Sequence, residues 1–416
     1  MRILVDENIP LARELFGSLG EVTMVAGRDV DERLPGLDGF DVLAIRSVTG
    51  VTPAVVDRAA SARVIATATI GTDHVDMAYI ERANATRRTP ITVLSAPGSN
   101  AESVADHVFM VLGRLTAGAD RPLSEMTLGI VGHGNCGRRV ARRAGAFGMR
   151  LLCCDPPLAE RDAQFASHPL EDVLAGSDFV TFHVPLTRAG ESACPTFHMV
   201  GARELARMPA GAWLVNCSRG AVVDSAALIE ALRARRPAGA ALDVFEGEPE
   251  PAAELLERAR IVTPHVAGYA VEAKRRGAVA IYEQMCRLFG REPIATEPLL
   301  MRGFDPPRGE RVEFACTGRT ALDADAAVRA VLARVHDVEA VSSDLKATVG
   351  AERRGELFDR MRKEYSRRYG RHEVASYRVE TDAAMPAPLR EAIGQRLAAF
   401  GAAVGGGGAH FLLAAG

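Results

Sequence analysis

The chain has 416 residues, of which 48% are hydrophobic and 25% are charged, and its formal net charge is −3. This length predicts two or three domains with packed cores, and this composition excludes extended disorder. The small negative charge gives no basis for general attraction to nucleic acid or to a membrane surface, and no segment predicts a transmembrane helix.

Short apolar runs alternate with helical patterns along the first hundred residues. The runs RILV, VLAIRS, VIATAT and ITVLS have the composition of strands, and segments such as 8–18 and 76–84 between them have helical spacing. Alternation of this kind is typical of a parallel sheet covered by helices. The sequence therefore predicts a first α/β domain.

The same rhythm continues in the middle of the chain. After a helix predicted from AESVADHVFMVLGRL, six further strands are expected from LGIVG, RLLCCD, DFVTFHVP, AWLVNC, GAALDV and RIVTPH. Another helix, predicted over 270–289, ends near GREPI, where glycine and proline indicate a boundary. These elements predict a second α/β domain.

A third, mixed region follows this boundary. Strands are expected at RVEFACTG, VASYRVET and HFLLA, helices over 322–336, 355–369 and 387–400, and a glycine turn at 405–408. The arginine-rich stretch 352–371 also carries four carboxylates, so we expect a solvated helix face rather than a site for a polyanion.

A glycine motif directly follows the first strand of the second domain. LGIVGHGNCGRRVARR places Gly132, Gly134 and Gly137 as GxGxxG between a predicted strand and a predicted helix, which is typical of dinucleotide binding. Asp155 ends the next strand, where a carboxylate accepts hydrogen bonds from ribose hydroxyls and repels a 2′-phosphate. The alternative is a glycine turn followed by an ordinary aspartate. The context favours a site for NAD over NADP.

Three later strand ends each carry one polar residue: Arg219 after AWLVNCS, Glu248 after LDVFEG, and His265 after RIVTP. Ligands of open α/β sheets bind at the carboxyl ends of the strands, so these side chains are expected to meet. A histidine takes the proton of a hydroxyl, a carboxylate orients it, and an arginine binds a substrate carboxylate. The alternative is that Arg219 is a surface cation, that Glu248 caps a helix and that His265 is an ordinary loop histidine.

The motifs GHGNCG, NCSRGAVVD, LDVFEGEP and TPHVAG occur in this order along the chain. Together they resemble the signature blocks of the D-isomer-specific 2-hydroxyacid dehydrogenases. The blocks ILVDENIP, ATATIGTDHVD and FDRMRKEYSRRYGRHEVASYRVE resemble one branch of that family, which oxidises a phosphorylated 2-hydroxy acid in vitamin B6 synthesis. The resemblance implies an NAD-dependent oxidoreductase that acts on such a small molecule as a homodimer.

The same resemblance implies site residues. Arg219, Glu248 and His265 would be catalytic, with His265 as the proton donor or acceptor. Implied NAD contacts are Asn135, Cys136, Asp155, Asp243 and Gly268, and implied substrate contacts are Ser47, Thr69 and Tyr269. Arg46, beside Ser47, is our first candidate for a ligand of the substrate phosphate.

The expected fold class is α/β, with two Rossmann-like or flavodoxin-like parallel-sheet domains, a cleft between them, and a C-terminal α+β dimerisation domain. Residues 1–100 with 267–290 would bind substrate, 101–266 would bind NAD, and 291–416 would mediate dimerisation. Seven cysteines without a CxxC pair favour free thiols and no metal. MRILVDEN lacks the apolar core of a signal peptide, so we expect a cytoplasmic protein.

Two other functions are compatible with these motifs. One is a dehydrogenase for 3-phosphoglycerate or another 2-hydroxy acid, with the third region as a regulatory domain. The other is an NAD-sensing binding protein that resembles the C-terminal-binding-protein corepressors. Turnover of any hydroxy acid would count against a pure sensor.

Overall fold

The computed structural model describes residues 1–306, 308–405 and 409–415, so residues 406–408 of the predicted glycine turn lie outside the described chain. The described strands, in chain order, are β1 (Arg2–Asp6), β2 (Glu21–Val25), β3 (Val42–Ile45), β4 (Val64–Thr67), β5 (Thr92–Leu94), β6 (Thr127–Val131), β7 (Arg150–Cys154), β8 (Phe179–Phe182), β9 (Trp213–Asn216), β10 (Gly239–Leu242), β11 (Ile261–Val262), β12 (Glu310–Phe314), β13 (Arg378–Thr381), β14 (Ala403–Val404) and β15 (Phe411–Ala415).

The described α-helices are α1 (Ala12–Phe16), α2 (Pro53–Arg58), α3 (Met77–Asn84), α4 (Ala101–Leu115), α5 (Asn135–Ala146), α6 (Pro156–Arg161), α7 (Leu170–Gly176), α8 (Ala202–Leu205), α9 (Ser225–Arg233), α10 (Ala253–Arg258), α11 (Val271–Leu288), α12 (Glu297–Leu300), α13 (Thr320–Val335), α14 (Val338–Lys346), α15 (Arg354–Tyr369) and α16 (Ala387–Ala399). None of these helices is both long and apolar enough to span a membrane.

The chain divides into two compact units, of which the first comprises Met1–Asn100 and Val271–Phe304. Its sheet has the order β2-β1-β3-β4-β5, and all its pairings are parallel. Successive residues of a strand face opposite sides of the sheet. Ile3 therefore packs with side chains of α1 and α11, whereas Leu4 packs with side chains of α2 and α3 on the other side. The unit is a parallel sheet with helices on both faces.

The second unit comprises Ala101–Ala270 and Asp305–Gly416. Its larger sheet has the order β11-β10-β9-β8-β6-β7 and is parallel throughout. The chain adds β7 on one side of β6 and then returns to add β8 on the other side, so the winding direction changes between β6 and β8. Ligands of doubly wound sheets bind at such a switch point, outside the carboxyl ends of the strands.

The C-terminal segment of this unit forms a second sheet, with the order β12-β15-β13-β14. Its three pairings are all parallel. The physical reason is that helices connect β12 to β13 and β13 to β14, and such crossovers place successive strands in the same direction. The segment packs on the six-stranded sheet, where the Ser342 hydroxyl of α14 accepts a hydrogen bond of 3.0 Å from Val262 N of β11.

The parallel sheets confirm the expected fold class, and the six strands predicted for the middle of the chain correspond to β6–β11. The chain passes between the two compact units after residues 100, 270 and 304, and the predicted division into three domains stays a prediction. In the arginine-rich stretch, Arg360 and Arg367 are exposed, but Arg362 is half-buried and Arg371 is fully buried. The expectation of a solvated face is therefore wrong for these two arginines and for Arg354, which is also half-buried.

Candidate active site

The glycine motif forms a tight turn between β6 and α5. Gly132 has a φ of +91°, and a Cβ there would lie 2.6 Å from the carbonyl oxygen of His183. A Cβ on Gly137 would lie 2.0 Å from the carbonyl oxygen of Gly132, so neither position accepts a side chain. At Gly134, by contrast, no described atom comes within 4 Å of the Cβ position. The turn is thus crowded on the protein side and open at Gly134.

The open position lies at the N-terminus of α5. Gly134 is the N-cap, Asn135 and Cys136 follow as the first helical residues, and no described side chain caps the helix. Burial raises the pKa of the Cys136 thiol to about 11, so the thiol is neutral near pH 7. Unpaired N–H groups at a helix N-terminus bind anions, and a glycine lets a phosphate approach the backbone. This arrangement fits the pyrophosphate of a dinucleotide.

Asp155 connects the glycine turn to the end of β7. One carboxylate oxygen accepts a hydrogen bond of 2.7 Å from His133 N, and the other caps α6 by accepting one of 3.0 Å from Leu158 N. The sequence predicted that Asp155 contacts the ribose, but it did not predict these two hydrogen bonds from backbone amides. Contact of Asp155 with the cofactor stays a prediction.

Arg219 is presented by a turn that follows β9. The side chain of Asn216 folds back over this turn, donating to the Arg219 carbonyl at 2.9 Å and accepting from the Ser218 amide at 3.0 Å. Arg219 Nη1 donates to the Ser218 carbonyl at 2.8 Å, and the residue is half-buried. A guanidinium at the carboxyl edge of the sheet is suited to binding a carboxylate.

Glu248 and His265 form a direct pair. The distance from Glu248 Oε2 to His265 Nδ1 is 2.8 Å, while Glu248 Oε1 accepts a hydrogen bond of 2.9 Å from Phe245 N. The His265 side chain is 32% exposed. Because Nδ1 faces Glu248, Nε2 is the nitrogen that remains for a substrate.

The pair is electrostatically coupled. Burial acts to lower the pKa of His265, but the charge and hydrogen bond of Glu248 outweigh burial, and the pKa is raised above its ordinary value. Burial likewise opposes ionisation of Glu248, yet His265 lowers the pKa of this carboxyl below its ordinary value. The pair therefore favours an imidazolium beside a carboxylate, as expected for a general acid and base held by a partner.

His265 lies in a strained turn that Asp243 holds in place. The φ of His265 is +56°, a left-handed conformation that costs a non-glycine residue about 1–3 kcal/mol. Asp243 is 2% exposed, and its carboxylate accepts hydrogen bonds of 2.8 and 2.9 Å from Val266 N and Ala267 N. Thr263 Oγ1 donates to the same carboxylate at 2.5 Å. We predicted Asp243 as an NAD contact and did not predict that it holds this turn. Gly268, which is half-buried, directly follows the turn, and its contact with NAD stays a prediction.

Two arginines of the C-terminal segment also meet this turn, and sequence reasoning missed both. Arg371 is fully buried and donates to the carbonyl oxygens of Ala267, at 2.9 Å, and Val266, at 3.3 Å. Arg362 Nη2 donates to Tyr269 Oη at 3.2 Å. The only signal in the sequence was the arginine-rich stretch itself, which does not indicate which arginines face inward.

Ser47 and Thr69 belong to the first unit. In the parallel register Ile45 of β3 pairs with Thr67 of β4, so Ser47 and Thr69 occupy equivalent positions two residues beyond. Ser47 is exposed, and Thr69 Oγ1 is 2.6 Å from Thr67 Oγ1 and donates to the Gly71 carbonyl at 2.9 Å. The structure thus brings these two hydroxyls to one edge of one sheet. Arg46, directly before Ser47, is buried.

Among the described residues, no cluster of three or more histidine, cysteine, aspartate or glutamate side chains is arranged to hold a metal ion. The second unit instead combines an anion-binding helix terminus with a histidine–carboxylate pair at neighbouring strand ends. Such a site is suited to removing a proton from a hydroxyl group beside a bound dinucleotide.

Comparisons with known proteins agree with this chemistry. The family model described as "D-isomer specific 2-hydroxyacid dehydrogenase, NAD binding domain" matches residues 106–267. The D-lactate dehydrogenase of Aquifex aeolicus, solved with NAD and lactic acid, is 26% identical with a TM-score of 0.56, over 70% of this chain and 96% of that one.

Curated relatives match almost the whole chain. The erythronate-4-phosphate dehydrogenase of Sodalis glossinidius (strain morsitans) is 42% identical, and that of Salinibacter ruber (strain DSM 13855 / M31) is 41% identical. Each similarity covers 95% of this chain and 98% of the relative, so it includes the C-terminal segment. The chain therefore belongs to the D-isomer-specific 2-hydroxyacid dehydrogenase family, in the branch of the erythronate-4-phosphate dehydrogenases.

Proposed function

We propose that this protein oxidises C2 of 4-phospho-D-erythronate to a ketone in vitamin B6 biosynthesis. The product is (R)-3-hydroxy-2-oxo-4-phosphooxybutanoate, and NAD, when bound, supplies the acceptor for the hydride that leaves C2. The observation that carries the proposal is the 2.8 Å pair of Glu248 and His265. It lies in the same unit as the open glycine turn, in a chain whose full-length relatives carry this activity in their names.

His265 is the proposed base. Its Nε2 accepts the proton of the C2 hydroxyl as the hydride departs, and it returns a proton to the oxygen in the reverse reaction. Glu248 holds Nδ1, so the imidazole presents Nε2 in a single orientation and its cationic form is stabilised. The strained backbone at His265 is maintained by the Asp243 scaffold, which keeps the base in place before substrate binds.

Arg219 is the proposed ligand of the substrate carboxylate. A guanidinium binds a carboxylate through two parallel hydrogen bonds and also stabilises negative charge on the neighbouring carbonyl oxygen. The turn held by Asn216 fixes the backbone from which Arg219 projects. We assign the cofactor to the residues that fit it, namely Gly132, Gly134, Asn135, Cys136, Gly137, Asp155, Asp243 and Gly268.

Substrate choice requires contacts beyond the carboxylate and the hydroxyl, and we assign these to Ser47, Thr69 and Tyr269. A site built for a further hydroxyl and a phosphate leaves polar groups unpaired when a shorter analogue binds. We therefore expect kcat/KM for 4-phospho-D-erythronate to exceed that for 3-phosphoglycerate and D-lactate by at least about a hundredfold, roughly 2.7 kcal/mol.

Steady-state kinetics with these three compounds test the proposal. A preference for 3-phosphoglycerate would make the protein a phosphoglycerate dehydrogenase. No turnover of any of the three by NAD-loaded protein would favour an NAD sensor instead.

The homodimer is a further part of the proposal, and we assign its interface to the C-terminal sheet. One face of this sheet buries Val312 and Leu413, while the other exposes Leu412 between Arg311 and Glu380 on the neighbouring strands. An apolar side chain between opposite charges suits a two-fold contact. Sedimentation velocity should show a dimer for the wild type and a monomer for Leu412→Glu. A monomeric wild type would refute this assignment.

We also place the reaction in the cytoplasm. All seven cysteines, each in the described part of the chain, are free thiols. Free thiols persist in a reducing compartment. Expression of the chain in its host, followed by fractionation and an activity assay, tests this location.

A further inference from the structure

Arg362 lies on the inner side of helix α15 and meets the turn that carries His265. Its Nη2 donates to Tyr269 Oη at 3.2 Å, and the guanidinium carbon is 5.9 Å from the centre of the Tyr269 ring. Tyr269 follows His265 by four residues. The C-terminal segment therefore places a cation beside the proposed active site.

Two other interior arginines of this unit are paired with carboxylates. Arg143 contacts Asp106 at 2.6 Å, and Arg396 contacts Asp325 at 2.9 Å. Arg362 differs from these two, because its hydrogen bond goes to a hydroxyl rather than to a carboxylate. Its buried Nε has no partner among the described residues, a property that it shares with the Nε atoms of Arg143, Arg354 and Arg371. The donors that a half-buried guanidinium leaves unused are available to an anionic ligand.

The position of Arg362 relative to the catalytic pair agrees with a ligand-binding role. Burial has the largest effect on the pKa of Glu248 and opposes its ionisation. His265 lowers this pKa, and the charge of Arg362 lowers it further. It acts to lower the pKa of His265 as well, after the larger effects of burial and of Glu248. The cation thus acts on both members of the pair without bonding to either. An anion that binds Arg362 would therefore lie close to the catalytic pair.

The proposed substrate has two anionic groups. Its carboxylate adjoins the reacting C2 and is assigned to Arg219, which leaves the phosphate at the other end of the molecule. We propose that Arg362 binds the substrate phosphate, so that helix α15 supplies a specificity determinant of the active site. This inference rests on the proposed function, and it replaces Arg46 as the candidate for this contact. Arginine is suited to phosphate because its planar donors match two phosphate oxygens.

The test compares two substrates that differ only in the phosphate. We would measure kcat/KM for 4-phospho-D-erythronate and for D-erythronate with the wild type, Arg362→Gln, Arg362→Lys and Arg360→Gln. Arg360 is the matched control because it lies on the same helix and is exposed. Both substrates use the same His265, so any effect of Arg362 on the pKa of His265 cancels in the ratio of the two constants.

Arg362→Gln should reduce this ratio by at least about tenfold, as expected for a lost charge-assisted contact. Arg362→Lys should retain part of the preference, and Arg360→Gln should retain all of it. As a second measurement, the inhibition constant of inorganic phosphate should rise at least about tenfold in Arg362→Gln. The affinity for NADH should be the same in all four proteins, which shows that each is folded.

A ratio unchanged in Arg362→Gln, or equal losses for both substrates, would overturn the inference while leaving the proposed function intact. A phosphate-selective loss in Arg46→Gln but not in Arg362→Gln would return the contact to the first unit and also overturn it. If the wild type oxidises neither compound, the proposed function fails, and the inference fails with it.

Discussion

Removing the charge of Glu248 should shift the pH dependence of catalysis. Glu248→Gln keeps the size of the side chain and a hydrogen-bond acceptor for His265, but it removes the carboxylate that raises the pKa of His265. A hydrogen bond to a charged group contributes about 1.5–3 kcal/mol, and one pKa unit corresponds to roughly 1.4 kcal/mol. The His265 side chain is 32% exposed, so solvent screens the pair in part, and we expect the pKa of His265 to fall in this variant.

The direction of the shift follows from the proton that His265 donates. Reduction of the 2-oxo acid requires protonated His265, so kcat/KM for reduction falls as the pH rises through the pKa of His265. In Glu248→Gln this fall should occur at lower pH than in the wild type. Oxidation requires neutral His265, so its rising limb should move to lower pH by the same amount. Both limbs are measured by following NADH absorbance across the pH range.

Glu246 provides a matched control for this experiment. Glu246 Oε1 lies 2.8 Å from Nε2 of His198, and the side chains of His198 and His265 are equally exposed, at 32%. Glu246→Gln should leave both limbs unmoved, since His198 is not in the proposed catalytic set. A profile that does not move in Glu248→Gln, or that moves equally in both variants, would refute the coupling.

Three further predictions concern the cofactor, the base and the scaffold. Asp155 should make kcat/KM for NADH exceed that for NADPH by at least about tenfold, roughly 1.4 kcal/mol, and equal use of both would contradict this assignment. His265→Ala should lower kcat by about 10²–10⁴-fold while calorimetry shows unchanged NADH binding; an active variant would exclude His265 as the base. Arg371→Met should lower the free energy of unfolding by at least about 2 kcal/mol, because Val266 and Ala267 carbonyls lose buried donors. Urea unfolding measures this change, and an unchanged midpoint would show that the contacts contribute nothing.

The predictable part of the fold is the part where residues carry a repeating pattern. Strands β6–β11 were predicted because a parallel strand covered on both faces is a nearly continuous apolar run. Strand β2 was missed because it lies at the edge of its sheet and is exposed or half-buried throughout, so no such run marks it. Helix α14 was missed because it is short and follows α13 after two residues, without glycine or proline.

The site divides in a similar way. Residues at strand ends were found because the topology of a parallel sheet brings those ends to one edge, as it does for Glu248 and His265. Arg362 and Arg371 were not found, because several neighbouring residues of the chain carry the same charge and only packing decides which guanidinium faces inward. The scaffold role of Asp243 was likewise hidden, since its partners are backbone amides that no side-chain pattern records.

The buried bonds from Arg371 to the turn after His265 limit how this gene can change by recombination. A crossover near residue 304 that exchanged the C-terminal segment for another module would also remove the donors that hold the Val266 and Ala267 carbonyls. In the resulting enzyme, the turn that carries His265 would be held less firmly. The C-terminal segment is thus expected to have been inherited together with the turn that carries His265. A shortened version of this enzyme would need another cation, supplied by the remaining chain, in the place of Arg371.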